Sequence, residues 1–298
     1  MAKITAKMME TKRLPNGIAS LHNPPKGLAS IMIDLNCHVL DGTGCGPESF
    51  TESLEMCREA AEGGGRTIVA TASWGAGSDG PPLPFSYLDQ KVDRLRAEML
   101  GTLSIKSGFL FQFSSDLPDI IRRYGTRVAL GGGRHILMSL PSTHIPSDID
   151  RVLESVARQQ FSIVLAHAER SLAVRRNHSL LSSWANQGVK FQIDASSIAG
   201  AYGREVKKFS LVCLEKFREQ TSIASNARRA RSNKLNAARA ELISQLGERW
   251  ASKYVRENPS CIIGDSKPSP NGSSSSRVAK GMNTLLRSIR PFVTRFNQ

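Results

Sequence analysis

Short apolar runs alternate with helix-spaced segments along most of this chain, and that alternation constrains the fold more than any other feature. Ile31–Leu35, Thr67–Ala70, the stretch around Phe109–Phe111, His135–Met138, Ser162–Ala166, Lys190–Ile193 and Ser222–Ala224 read as buried strands. Between them, apolar residues recur at helical spacing over Pro47–Glu62, Leu88–Leu100, Leu117–Tyr124, Asp148–Gln159, Leu180–Gln187, Glu205–Glu219 and Asn236–Glu257. Near-continuous apolar strands joined by helices imply a parallel sheet with right-handed crossovers. Seven such units in one run predict an α/β fold with a closed or nearly closed barrel. A doubly wound open sheet is the competing arrangement. In both, function sits just beyond the C-terminal ends of the strands.

Breakers bound the predicted barrel. Asn23-Pro24-Pro25-Lys26-Gly27 ends a basic N-terminal tail over residues 1–30, and the barrel spans 31–265. A Ser/Pro-rich linker covers 266–281, and a basic amphipathic segment with Leu285, Leu286, Ile289, Phe292, Val293 and Phe296 covers 282–298. The Gly63-Gly64-Gly65 run stops a helix; it lacks the Lys-Ser/Thr that follows in a phosphate loop.

The net charge of +14 suggests a nucleic-acid partner until its distribution is read. The N-terminal tail is net +4 and residues 266–298 carry six cations and no acid, so only about +4 remains on the barrel. The tails are therefore the expected contacts for an anionic surface, whether lipid, polymer or acidic protein. Nucleic acid is not expected, because no basic and aromatic residues interleave. No window approaches the ~18 uninterrupted apolar residues of a membrane span, and no secretory h-region opens the chain. Five scattered cysteines without a CxxC pair indicate neither a disulfide framework nor a zinc site. A cytoplasmic location is expected, with possible attachment to the inner face of the membrane.

The segments MIDLNCHVLDGTGCGPESFTESLEM, RTIVATAS, HILMSLPSTHIP, IVLAHAER and ENPSCIIGD carry more specific information. They resemble the bacterial PHP-superfamily (polymerase and histidinol phosphatase) protein-tyrosine phosphatases of capsular and exopolysaccharide biosynthesis. The resemblance is gapless over 31–62 and runs in order to about residue 265. It implies a distorted (β/α)7 TIM-like barrel of the PHP type, holding a cluster of divalent metals, such as manganese, that activates water and clamps a phosphate. It further implies a phosphorylated protein partner, such as a tyrosine kinase of polysaccharide export.

Carried over residue by residue, the implied ligand set is largely absent. Asn36 stands at the first ligand position and His38 keeps the second. Ser73, Leu110 and Ser139 replace a His and two Glu; His167 is kept; Asn226 and Arg228 replace an Asp and a His. Gly44-Cys45 replace a pair of acids before Gly46-Pro47. Arg170 is kept and is implied to contact phosphate; Arg228, if turned inward, would put a fixed cation where a metal belongs. Leucine and a guanidinium are incompatible with a hard divalent cluster.

The expectation is a degenerate, catalytically impaired relative with no cofactor, binding an anionic or phosphorylated partner through Arg170 and Arg228. His38 and His167 are then residual metal positions or hydrogen-bonded relics. The alternatives are an active metal-dependent phosphohydrolase with a reduced metal set, and a nucleic-acid binder acting through the tails. His135 and His144 match no ligand position. Cys45 lacks the following Arg that a cysteine phosphatase needs. Arg170 is expected to pair with Glu169 or another acid, and the Arg228–Arg231 run to form a solvated face.

Overall fold

In a computed structural model, the structure describes residues 31–75, 81 and 83–264. The readings made for residues 1–30 and 266–298 lie outside the described residues. Seven strands follow one another around a single sheet: β1 Met32–Cys37, β2 Gly65–Trp74, β3 Ser104–Gln112, β4 His135–Ser139, β5 Ser162–Ala166, β6 Lys190–Asp194 and β7 Thr221–Ala224. All neighbours pair in parallel and in sequence order. That order lacks the reversal of a doubly wound sheet, so the barrel reading holds. Beyond the strands, the β1–β7 seam is joined by a parallel bridge, Cys37 to Ala227. Asn226 N–H donates to the Asn36 carbonyl at 2.8 Å and His38 N–H to the Ala227 carbonyl at 2.8 Å.

The helices are α1 Phe50–Glu62, α2 Phe85–Glu98, α3 Leu117–Tyr124, α4 Ile149–Arg158, α5 Leu172–Arg176, α6 His178–Asn186, α7 Ala195–Ile198, α8 Arg204–Lys216, α9 Leu235–Leu246, α10 Glu248–Ser252 and α11 Asn258–Ile262. α1 begins where Ser49 accepts from Glu52 N–H, a cap worth about 1 kcal/mol. It ends at Gly63, the first of the three glycines. The long final helix predicted from Asn236 to Glu257 is a correction: Gly247, at φ 86°, breaks it into α9 and α10, and a π-helical turn over Lys253–Glu257 leads into α11.

Side chains divide into two apolar regions. Outside the sheet, the helices bury a large core that includes Trp74, Phe111, Trp184, Phe191 and Phe209. Inside the barrel, Leu35, Val69, Leu110, Leu137 and Val164 meet Leu130, Ile262 and Ile263, which close the N-terminal floor. Gly108 allows this closure: a Cβ there would lie 2.8 Å from Val69 and 3.1 Å from Leu130. The Glu-Asn-Pro motif has a structural use, since Asn258 Nδ2 donates to the carbonyls of Arg218 and Thr221 and ties α11 under β7.

Candidate functional site

At the C-terminal mouth, β1 delivers Asn36 and then His38, both fully buried. The loop that follows turns tightly back on itself; a Cβ on Gly46 would lie 2.6 Å from the carbonyls of His38 and Leu40, so only glycine fits. Lys91 of α2 pins this loop through Asp41 at 2.7 Å. β2 contributes Thr71, β6 contributes Gln192 and Asp194, and the turn after β7 contributes Asn226.

These residues form one network. Thr71 Oγ1 donates to Asn36 Oδ1 at 2.8 Å, and Asn36 Nδ2 faces Gln192 Oε1 at 3.2 Å and Asn226 Oδ1 at 3.4 Å. His38 Nδ1 lies 3.1 Å from the Thr71 carbonyl and Nε2 lies 3.2 Å from Asn226 Oδ1. Each ring nitrogen thus has an oxygen partner, and the Thr71 hydroxyl and the Cys45 thiol also approach Nδ1, at 3.4 and 3.5 Å. Asn226 Nδ2 donates to Asp194 Oδ2 at 3.2 Å.

The other side of the mouth is charged. Arg170 bonds Asp194 Oδ2 at 3.2 Å and stacks over the Tyr202 ring at 4.3 Å. Its side chain stays 36% exposed, so one face of the guanidinium is open. Arg170 therefore pairs with Asp194 rather than with its neighbour Glu169. Glu169 is buried and supports the pair from behind, Oε1 accepting from Asp194 N–H at 3.0 Å and from Ser197 Oγ at 2.6 Å. Burial first, and then the Asp194 charge, push the Glu169 carboxyl up to about 7. Burial also raises Asp194, against the opposing pull of Ser196 N–H, Asn226 and Arg170.

His167 and Asn226 both take left-handed backbone, with φ of 40° and 49°. Such conformations cost energy outside glycine and recur at functional sites. His167 N–H donates to the Gln192 carbonyl at 2.7 Å, while its buried Nδ1 has no partner. Burial, then the charges of Arg170, Arg228 and His38, hold its imidazole down to about 3, so it is neutral. Arg228 is exposed, as are Arg229 and Arg231, yet it lies near enough to depress His167.

Not every implied ligand position reaches this network. Leu110 is packed into the barrel interior beside Leu137, and Ser139 Oγ donates back to the Phe111 carbonyl at 3.2 Å. Ser73 approaches the Cys45 thiol, which lies 3.5 Å from His38 Nδ1. Burial opposes ionisation of Cys45, but the His38 hydrogen bond and charge, together with Ser73, bring it down to about 6. His135 sits on the floor, bonded to the Ile262 carbonyl at 2.8 Å, and His144 is exposed.

The residues present do not fit a metal cluster. Among the described residues no group of three or more His, Cys, Asp or Glu is placed to hold an ion. The sequence reading passed over Thr71, Gln192 and Asp194; the available signal was three polar residues in buried strand segments near the C-terminal end.

Residues 32–264 match the model of the family described as capsular polysaccharide synthesis, CpsB/CapC. The chain is 30% identical over 186 residues to the tyrosine-protein phosphatase YwqE of Bacillus subtilis (strain 168), covering 62% of this chain and 72% of that protein. It is 25% identical over 195 residues to the putative tyrosine-protein phosphatase CapC of Staphylococcus aureus, with coverage of 62% and 72%. The fold superposes with a TM-score of 0.71 and 25% identity on a chain from the crystal structures of YwqE from Bacillus subtilis and CpsB from Streptococcus pneumoniae. That match covers 81% of this chain and 100% of the other, and those proteins are described as metal-dependent tyrosine phosphatases. With a matching barrel fold and a family model that spans residues 32–264, this chain belongs to the CpsB/CapC family of capsular polysaccharide synthesis.

Proposed function

We propose that the mouth binds a phosphorylated or otherwise anionic group on a protein partner and does not hydrolyse it by a metal-dependent route. The observation that carries this reading is the closed network around His38. Its ring nitrogens meet the Thr71 carbonyl and Asn226, Asn36 ties Thr71, Gln192 and Asn226 together, and Leu110 puts hydrocarbon where the resemblance implies a ligand. Without a divalent cluster, neither an activated water nor a charge clamp is available, and each is worth several kcal/mol to hydrolysis.

The binding half of the chemistry is retained. Arg170 is oriented by Asp194 on one side and Tyr202 on another, which leaves its remaining donors for an oxyanion. Arg228 adds long-range attraction from the rim. A phosphotyrosine segment of a polysaccharide-export kinase is the partner class that family membership supports. Calorimetry with a phosphotyrosine peptide, in parallel with a manganese-supplemented turnover assay, tests the reading. Saturable binding without turnover is expected; turnover at the rate of an active relative, or no binding at all, overturns it.

A second reading is favoured by His167. Its buried Nδ1 has no partner and, being neutral, offers a lone pair. One ion held there would make a reduced metal set, and turnover that depends on His167 would establish it.

Attachment through the basic tails is a separate proposal, resting on the six cations in residues 266–298. Among the described residues no helix is long and apolar enough to cross a membrane. Salt-sensitive retention of the full chain on anionic vesicles is expected; indifference to ionic strength contradicts it.

A further inference from the structure

After Ala227, residues 228–234 carry the chain from the rim of the mouth to the start of α9 and form neither strand nor helix. The N–H groups of Arg228, Arg229, Ala230 and Arg231 donate to side-chain oxygens instead. Arg228 and Arg229 share Ser232 Oγ, at 3.2 Å each. Ala230 donates to Glu52 Oε1 at 3.3 Å, and Arg231 donates to Glu59 Oε2 at 2.7 Å. Glu52 and Glu59 both belong to α1. Their sequence spacing is about two helical turns, so both carboxylates lie along one face of that helix.

The path between these anchors is not a relaxed one. Asn226 enters it at φ 49° and Arg231 leaves it at φ 63°, both left-handed without glycine. Such backbone persists where the surroundings over-determine it. At the entry, Asn226 N–H is tied to the Asn36 carbonyl; at the exit, the α1 carboxylates supply the hold.

The loop carries the cation that stands at the mouth. Arg229 meets Glu48 at 3.8 Å in an exposed pair, which contributes little. Arg228 follows directly on Ala227, whose carbonyl accepts from His38 N–H, and its charge reaches both His167 and Tyr202, the neighbours of Arg170. An arginine on a loose loop gives up loop and side-chain freedom when it meets an anion. On a backbone already fixed it gives up less, and the difference appears as affinity.

We propose that Glu52, with Glu59 behind it, is a positioning residue for the anion site: by holding Ala230 and Arg231 the two carboxylates fix Arg228 at the rim as a second cation for the anion that Arg170 receives. This rests on the reading of the mouth as an anion site. The sign of the effect sets the role apart. Glu52 is an acid close to a site for anions, so through its charge alone its removal strengthens binding. Through the loop, its removal weakens binding.

The test is calorimetry of a phosphotyrosine peptide on the full chain, with urea unfolding as the folding control. Arg228→Ala and Glu52→Ala are each expected to weaken binding about threefold or more, with no further loss when the two are combined. Glu52→Gln keeps an oxygen that accepts from Ala230 N–H and is expected to stay within about twofold of the unaltered chain. Should Glu52→Ala not fold, Glu59→Ala takes its place with the same expectations. Unchanged or tighter binding in Glu52→Ala, a loss that persists in the Arg228→Ala background, or a Glu52→Gln variant as weak as Glu52→Ala overturns the proposal and leaves the anion site standing. An unaltered chain that does not bind the peptide overturns both.

Discussion

At the floor of the barrel, Leu130, Ile262 and Ile263 close the interior with hydrocarbon, whereas at the mouth a comparable space is filled by Asn36, His38, Thr71, Gln192 and Asn226 bonded to one another. Apolar closure costs nothing in polar desolvation. The mouth instead buries the carboxyl groups of Glu169 and Asp194, leaves His167 Nδ1 and Gln192 Nε2 unmet, and holds two residues in left-handed backbone. A chain selected for stability alone would not keep that arrangement, and burial without full satisfaction marks where binding work is done. Within the mouth the contrast repeats. The β1–β2–β7 side, where the resemblance implies metal ligands, is a lattice of side-chain hydrogen bonds. The β5–β6 side, where it implies phosphate contact, keeps its charges.

If the contrast between the ends is right, the largest mutational effect falls on the charged side of the mouth. Glu169→Ala strands the Asp194 N–H and the Ser197 hydroxyl and is expected to cost about 3–5 kcal/mol in urea unfolding. Ile262→Val on the floor is expected to cost only about 1 kcal/mol, the loss of one buried methylene. Equal costs would erase the distinction.

The next effect belongs to the floor and is a function of pH. Burial, then Lys190, hold His135 down to about 4 from an ordinary value of 6.5. Between those values the unfolded chain takes up a proton that the folded chain refuses, so this contribution to stability is complete above pH 6.5 and is lost as pH falls toward 4. The loss amounts to about 2–3 kcal/mol. His135→Gln is expected to flatten that segment of the stability profile, and an unchanged slope would show that the floor histidine is not buried as described.

Smaller effects separate the two sides of the mouth. Arg170→Ala is expected to weaken phosphotyrosine-peptide binding by tenfold or more, about 1.4 kcal/mol or above. Tyr202→Leu removes only the stacking on the guanidinium and is expected to cost about 0.5–1 kcal/mol, a two- to fivefold loss. Calorimetry measures both, and a larger loss from Tyr202→Leu than from Arg170→Ala would reassign the anion contact.

Much of the barrel was legible because its strands are apolar on both faces: β5 could be read at Ser162–Ala166 and α3 at Leu117–Tyr124 from local pattern alone. The break at Gly247 was not, since one glycine inside a helical pattern is usually tolerated and only its φ of 86° ends α9. At the site, the resemblance drew attention to positions after the strands and so to Asn36, His38, His167, Arg170 and Asn226. Asp194 was missed because its importance lies in partners distant in sequence: Arg170 24 residues away and Asn226 32 away. Nothing in the local pattern of β6 shows that one carboxylate serves both.

The most direct test is metal stoichiometry. Purified protein dialysed against excess manganese should retain less than one ion per chain by elemental analysis, and phosphotyrosine-peptide binding should be unaffected by a chelator. Two or more tightly held manganese ions per chain, with peptide hydrolysis that the chelator abolishes, would contradict the reading of a mouth in which hydrogen bonds stand where metals are held.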